Sequence, residues 1–176
     1  MPMTQKEQAE QAEWAGSQSR LKTVRAEVLS VFLESQGIDA RAINLLDEDY
    51  SLPDPEWVSG KLAHSWATLI NGLGFKYADE TRDCDDFAAG ARWWAQYLQS
   101  RTRPGDSALA LFECAYVPES GAGHAICGCV SRRAGAFVLS FFEPQPTQTV
   151  NGLAVQTMKP VTLTPCEIKS ICFLRF

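Results

Sequence analysis

From Ser19 to Ser35 the apolar residues Leu21, Val24, Val28, Val31 and Phe32 recur at helical spacing, and Gly37 follows as a stop signal. This predicts a helix, with another turn or two over Ala40 to Leu46. Residues 4–16 favour helix but are nearly all polar, which suits a loose or partner-dependent arm. Asp47 to Pro55 holds four acids and two prolines and reads as a loop. A second helix is expected from Pro55 to Asn71, with Val58, Leu62, Trp66 and Leu69 as its stripe and Asn71-Gly72-Leu73-Gly74 as its end. Beyond residue 75 the character changes. Asp83 suits an N-cap, and Cys84 to Gln99 has helical composition. Strands are predicted at Ala108 to Tyr116, His124 to Ser131 and Ala136 to Phe142, the last two joined by Arg132-Arg133-Ala134-Gly135 as a hairpin. Leu153 to Met158 and Glu167 to Arg175 complete the sheet. Helices followed by an antiparallel sheet make the α+β class, with an N-terminal helical region over 1–74 and a core over 75–176, together one compact domain. No internal repeat is visible.

Composition narrows the functions. With 45% hydrophobic and 21% charged residues, the 176-residue chain can build a sizeable core. Its formal net charge of −5, with no Lys/Arg stripe, argues against nucleic acid. No apolar run reaches the roughly 18 residues of a membrane span, and Met1 to Ala15 lacks the apolar core of a signal peptide. No membrane association and a cytoplasmic or virion-associated location are therefore expected. The six cysteines are expected to be reduced, since Cys114, Cys127 and Cys129 fall in apolar strands. Cys127 and Cys129 are too close for a usual zinc pair, and with two histidines in the chain neither a metal nor another cofactor is expected.

The densest chemical signal is Asp83-Cys84-Asp85-Asp86-Phe87-Ala88. A cysteine in the first turn of a helix feels the free N–H groups and positive dipole end, which favour thiolate. The neighbouring acids oppose this, so a basic partner is required; taken alone, the hexapeptide fits a small core cysteine beside ordinary helix-start acids. A basic candidate exists in Gly123-His124-Ala125, where His124 opens a strand after small residues. If Arg132 to Gly135 forms the turn, Ser131 pairs with Ala136 and His124 lies opposite Glu143, a carboxylate able to orient the imidazole. A shift of register would substitute Gln145.

These motifs, with Phe142-Glu143-Pro144-Gln145, resemble the bacterial transglutaminase-like cysteine proteinases, and are similar to small phage and prophage proteins with D-C-D-D-F-A, H-A and E-P-Q motifs. The resemblance covers roughly residues 75–146. It implies a papain/transglutaminase-like core, in which a Cys-bearing helix packs on an antiparallel sheet, and a Cys84-His124-Glu143 triad. The proteinases usually carry Asp as the third member, where this chain has Glu143.

The expected activity is that of a thiol hydrolase or acyl-transferase on amide bonds, a cysteine peptidase, amidase or transglutaminase. Cys84 would attack a carbonyl of a protein or peptide substrate after giving its proton to His124. Oxyanion donors would come from near the Cys84 amide and from Tyr77, Asn71 or Trp66. The alternative from another class is a non-catalytic phage structural or host-interaction protein that keeps the fold to bind a host or phage protein. The N-terminal helices could also support homo-oligomers.

Overall fold

The computed structural model describes residues 23–76, 83–102 and 106–176. The polar arm at 4–16 and Tyr77 lie outside the described residues.

The chain opens with β1 (Thr23–Arg25) and α1 (Ala26–Ser35), a single 3-10 turn at Ala40–Ala42, then β2 (Ile43–Asn44) and β3 (Asp49–Ser51). The first helix begins seven residues later than its periodicity predicts, because Val24 and its neighbours pair with β3. Next come α2 (Pro55–Trp57), a wider turn of π-helix at Val58–Leu62, and α3 (Ala63–Leu73). Asp54 accepts from the Glu56 N–H to start this run, and Gly74, at φ 62°, ends it in the left-handed region. The long α4 spans Cys84–Thr102.

The second half holds β4 (Ala108–Leu109), β5 (Leu111–Tyr116), β6 (His124–Arg133), β7 (Ala136–Glu143), β8 (Gln148–Val150), β9 (Leu153–Gln156), β10 (Lys159–Val161), the short α5 (Pro165–Lys169) and β11 (Phe173–Arg175). Pro165–Lys169 is helical, so the strand expected from Glu167 to Arg175 is reduced to Phe173–Arg175. Thr164 accepts from the Glu167 N–H while Glu167 accepts from the Thr164 N–H, and Pro165 presets the first turn. That reciprocal cap fixes the helical turn, and Ile168 and Ile171, three apart, fall at helical rather than strand spacing.

The described residues form three sheets: β1-β3-β4, β10-β7-β6-β5-β11-β2, and the hairpin β8-β9. They depart from the expected plan of helices followed by a purely antiparallel sheet. Pairing is parallel between β11 and β2 and between β3 and β4, and the described residues 23–51 supply three strands.

The six-stranded sheet lies between two apolar layers. On one face α2, α3 and α4 bury Trp57, Leu62, Trp66, Ile70, Phe87, Ala88 and Ala91 against Ala125, Cys127, Cys129 and Phe142. On the other, α1 and the segment around α5 bury Leu29, Leu33 and Ile171 against Phe112, Cys114, Ile126, Val130 and Phe141. Alternation along β6 explains the division: successive side chains point to opposite faces, and both faces are covered.

Candidate functional site

The β6–β7 hairpin sets the geometry. Its turn is two residues, Ala134 and Gly135, at φ 48° and 90°, so Arg133 pairs with Ala136. The four-residue turn expected from Arg132 to Gly135 would have paired Ser131 with Ala136. Continued to the mouth of the hairpin, the observed register sets Ile126 opposite Glu143 and His124 opposite Gln145. Glu143 is then a diagonal neighbour of His124 on the same face, and its longer carboxylate reaches back. His124 Nε2 and Glu143 Oε2 are 2.7 Å apart, with 28% and 17% of the side chains exposed. The second carboxylate oxygen accepts the Gln145 backbone N–H at 3.0 Å. Gln145 thus takes part through its main chain and holds the carboxylate. The Tyr116 ring meets the imidazole edge-on, 5.9 Å between centroids.

Cys84 is brought to the same end of the sheet by α4. The Cys127 thiol donates to the Ala88 carbonyl at 3.4 Å, Arg92 faces Glu113 at 3.6 Å, and Gln96 bonds both backbone groups of Leu109. These contacts run α4 along β6 from its His124 end, and Cys84 lies one turn before Ala88. The thiol is half-buried against the α3/α4 core. Among the described residues no hydrogen bond joins the Cys84 sulfur to the imidazole. By alternation His124 and Glu143 side with Ile126 and Phe141, whereas α4 packs on Ala125, Cys127 and Phe142.

The carboxylates of Asp83, Asp85 and Asp86 lie within 4.8 Å of one another around the start of α4. A hydrogen bond between Asp83 and Asp85 lowers the first carboxyl and raises the second, so the pair holds a proton more readily than two separate acids.

Two expected oxyanion donors are otherwise engaged. The Trp66 indole N–H donates to the Pro144 carbonyl at 3.0 Å. Asn71 donates to the Ala154 carbonyl and accepts its N–H, at 2.9 and 2.8 Å. Both residues brace the site from behind: Trp66 holds the peptide beside Glu143, and Asn71 clamps β9 to α3. Their spacing in the sequence carries no sign of these long-range bonds. Three aromatic residues of α4 form an outward-facing group: Trp93 and Tyr97 stack at 5.5 Å with 57% and 40% of each open to solvent, and Trp94 stacks on Tyr97 at 5.4 Å.

The cysteines are all free thiols. Burial pushes Cys114, Cys127 and Cys129 well above the usual thiol range. They therefore stay protonated through pH 9, and iodoacetamide on the native protein at pH 7–9 is expected to label Cys166, Cys172 and Cys84 only. Peptide mass mapping checks this; the three strand thiols should react once denaturant is added.

No family model and no curated protein matches the chain. Solved structures do. A complex of PSL1a with E64 is 21% identical over 88% of this chain and 50% of that one, with a TM-score of 0.60. The Polyporus squamosus lectin bound to the human-type influenza-binding epitope Neu5Acα2-6Galβ1-4GlcNAc is 20% identical over 88% and 49%, with a TM-score of 0.55. The chain thus spans about half the length of these structures, and what it shares with them is fold. The expected membership of the transglutaminase-like cysteine proteinases is corrected on these findings, and so is the papain/transglutaminase-like description of the core: the fold is that of part of chains solved as a lectin. The expectation of a thiol hydrolase or acyl-transferase, whether peptidase, amidase or transglutaminase, falls with it. Among the described residues no helix is long and apolar enough to cross a membrane.

Proposed function

We propose that the chain is a non-catalytic binding protein, a phage structural or host-interaction factor acting in the cytoplasm or on a virion, which grips a hydroxyl-rich ligand of its partner with His124 and Glu143. The observation that carries this reading is the preformed imidazole–carboxylate pair, partly open to solvent and fixed by the Gln145 N–H. A pair held this way offers both a donor and an acceptor without reorganising, and sugar hydroxyls are matched by that combination. The fold shared with a lectin supports a carbohydrate-bearing partner. In this reading Cys84 belongs to the α3/α4 core at the same end of the sheet and is not bonded to the imidazole.

Calorimetric titration with the trisaccharide Neu5Acα2-6Galβ1-4GlcNAc and a printed glycan array, run beside a fluorogenic amide-hydrolysis assay, tests it. Saturable binding is expected, weakened at least tenfold by His124→Ala or Glu143→Gln and unchanged in Cys84→Ala. Binding indifferent to both site variants would sink the proposal. So would amide turnover that disappears in Cys84→Ala.

A further inference from the structure

The strand register places four polar side chains in one row across four neighbouring strands. Tyr116 on β5 lies directly opposite His124 on β6, and Lys159 on β10 lies directly opposite Glu143 on β7. Glu143 joins the two pairs by its diagonal contact with His124 at 2.7 Å. Opposed residues of antiparallel strands share a face, so the order along it is Tyr116, His124, Glu143, Lys159.

The two ends of this row differ in exposure and in sign. At the β5 end Tyr116 is buried, with its ring edge-on to the imidazole. Burial, then the Glu167 and Glu143 carboxylates, push its hydroxyl above the usual range, which marks this end as acidic. At the β10 end Lys159 is exposed, and among the described residues it enters no ion pair, even with the carboxylate opposite. Both oxygens of that carboxylate are already engaged, one by His124 and the other by the Gln145 N–H. The ammonium beside the pair is therefore left for an anion from outside. A lysine on an edge strand also repels further strands, but that duty requires no particular register. Here the register sets it across from Glu143.

We propose that the His124–Glu143 site takes an anionic saccharide, with hydroxyls on the imidazole–carboxylate pair and a carboxylate or sulfate on Lys159. The assignment rests on that pair being a hydroxyl-binding site. β6 and β10 are two strand spacings apart, about 10 Å, which a sugar ring with an exocyclic acid or two linked rings can bridge. An ammonium is a compact point charge and serves carboxylate and sulfate alike. The acidic end at Tyr116 repels the same group, so the ligand has one orientation, its anion toward β10.

A glycan array carrying carboxylated and sulfated glycans beside their carboxyl-reduced and desulfated counterparts tests this, with the hits repeated by calorimetry. The parent should bind the anionic member of a pair about tenfold more tightly than the neutral one. Lys159→Gln should bring the anionic member down to the neutral one, whereas Lys159→Arg should keep the preference. Added salt should narrow the gap in the parent. Loss on carboxyl reduction names a carboxylate as the anion, and loss on desulfation a sulfate. Equal binding of both members, or a preference that survives Lys159→Gln, overturns the proposal while binding that depends on His124 still upholds the site. If no hit is weakened by His124→Ala, the hydroxyl-binding reading itself fails and the anionic ligand falls with it.

Discussion

Trp66→Ala is expected to cost about 3–5 kcal/mol of folding stability, read as a lower urea midpoint with the slope nearly unchanged. The indole is 4% exposed and lies where α3, α4 and the sheet meet. Gly90 of α4 approaches so closely that a Cβ built there would stand 2.8 Å from the ring. Removal leaves a cavity between two helices that cannot close independently. It also strips the Pro144 carbonyl of its buried donor, which adds roughly 1–3 kcal/mol if water does not replace it. Trp66→Phe separates the two contributions, since it keeps most of the volume and loses the hydrogen bond; a cost of about 1–3 kcal/mol is expected. Because Pro144 follows Glu143, both variants should loosen the imidazole–carboxylate pair as well, seen as changed chemical shifts of the His124 ring protons by NMR.

Gly128→Ala is expected to cost about 3 kcal/mol, although the substitution adds a single methyl group. The glycine lies mid-β6 between Phe112 on β5 and Phe141 on β7. An added Cβ would meet Phe112 Cζ at 2.4 Å and Cε2 at 2.5 Å, with the Ser140 backbone oxygen at 3.1 Å. The ring has little room to retreat, for Phe112 is fully buried and is flanked by Phe176 at 5.0 Å and Phe141 at 6.3 Å. The penalty is steric and local, so it should be strongly non-additive: Phe112→Leu should cost much less in the Gly128→Ala background than alone. Thermal melts of the four proteins in this cycle decide it, and additive losses would show the strain to be elsewhere.

The hairpin was readable because two apolar, β-prone runs flank Arg132-Arg133-Ala134-Gly135. The register was off by two, since a positive φ at Ala134 is foreign to alanine and gives no sign in the sequence. His124 and Glu143 still meet, because a diagonal contact tolerates that shift where a directly opposed pair would not. The short strands β1, β2 and β3 were invisible for another reason. Two or three residues carry no period, and what makes them strands is a partner far along the chain. The helix at 165–169 was missed because Thr164 and Glu167, three apart around Pro165, are a stronger start signal than the apolar residues nearby. The family assignment failed on scale. A hexapeptide and two short motifs describe how one helix and one strand begin, and neither the course of the other strands nor the chemistry follows from them.

β11 carries a kinetic consequence. It is inserted between β5 and β2, and the side chain of Asn44 reaches the Leu174 carbonyl across 130 residues of sequence. β2 therefore has no neighbour in the large sheet until residues 173–175 arrive, and the loop closed at that moment spans most of the fold. Until β11 is made, the edge of β5 stays open while β6 and β7 are already paired, so that margin of the large sheet and β2 both wait on residues 173–175.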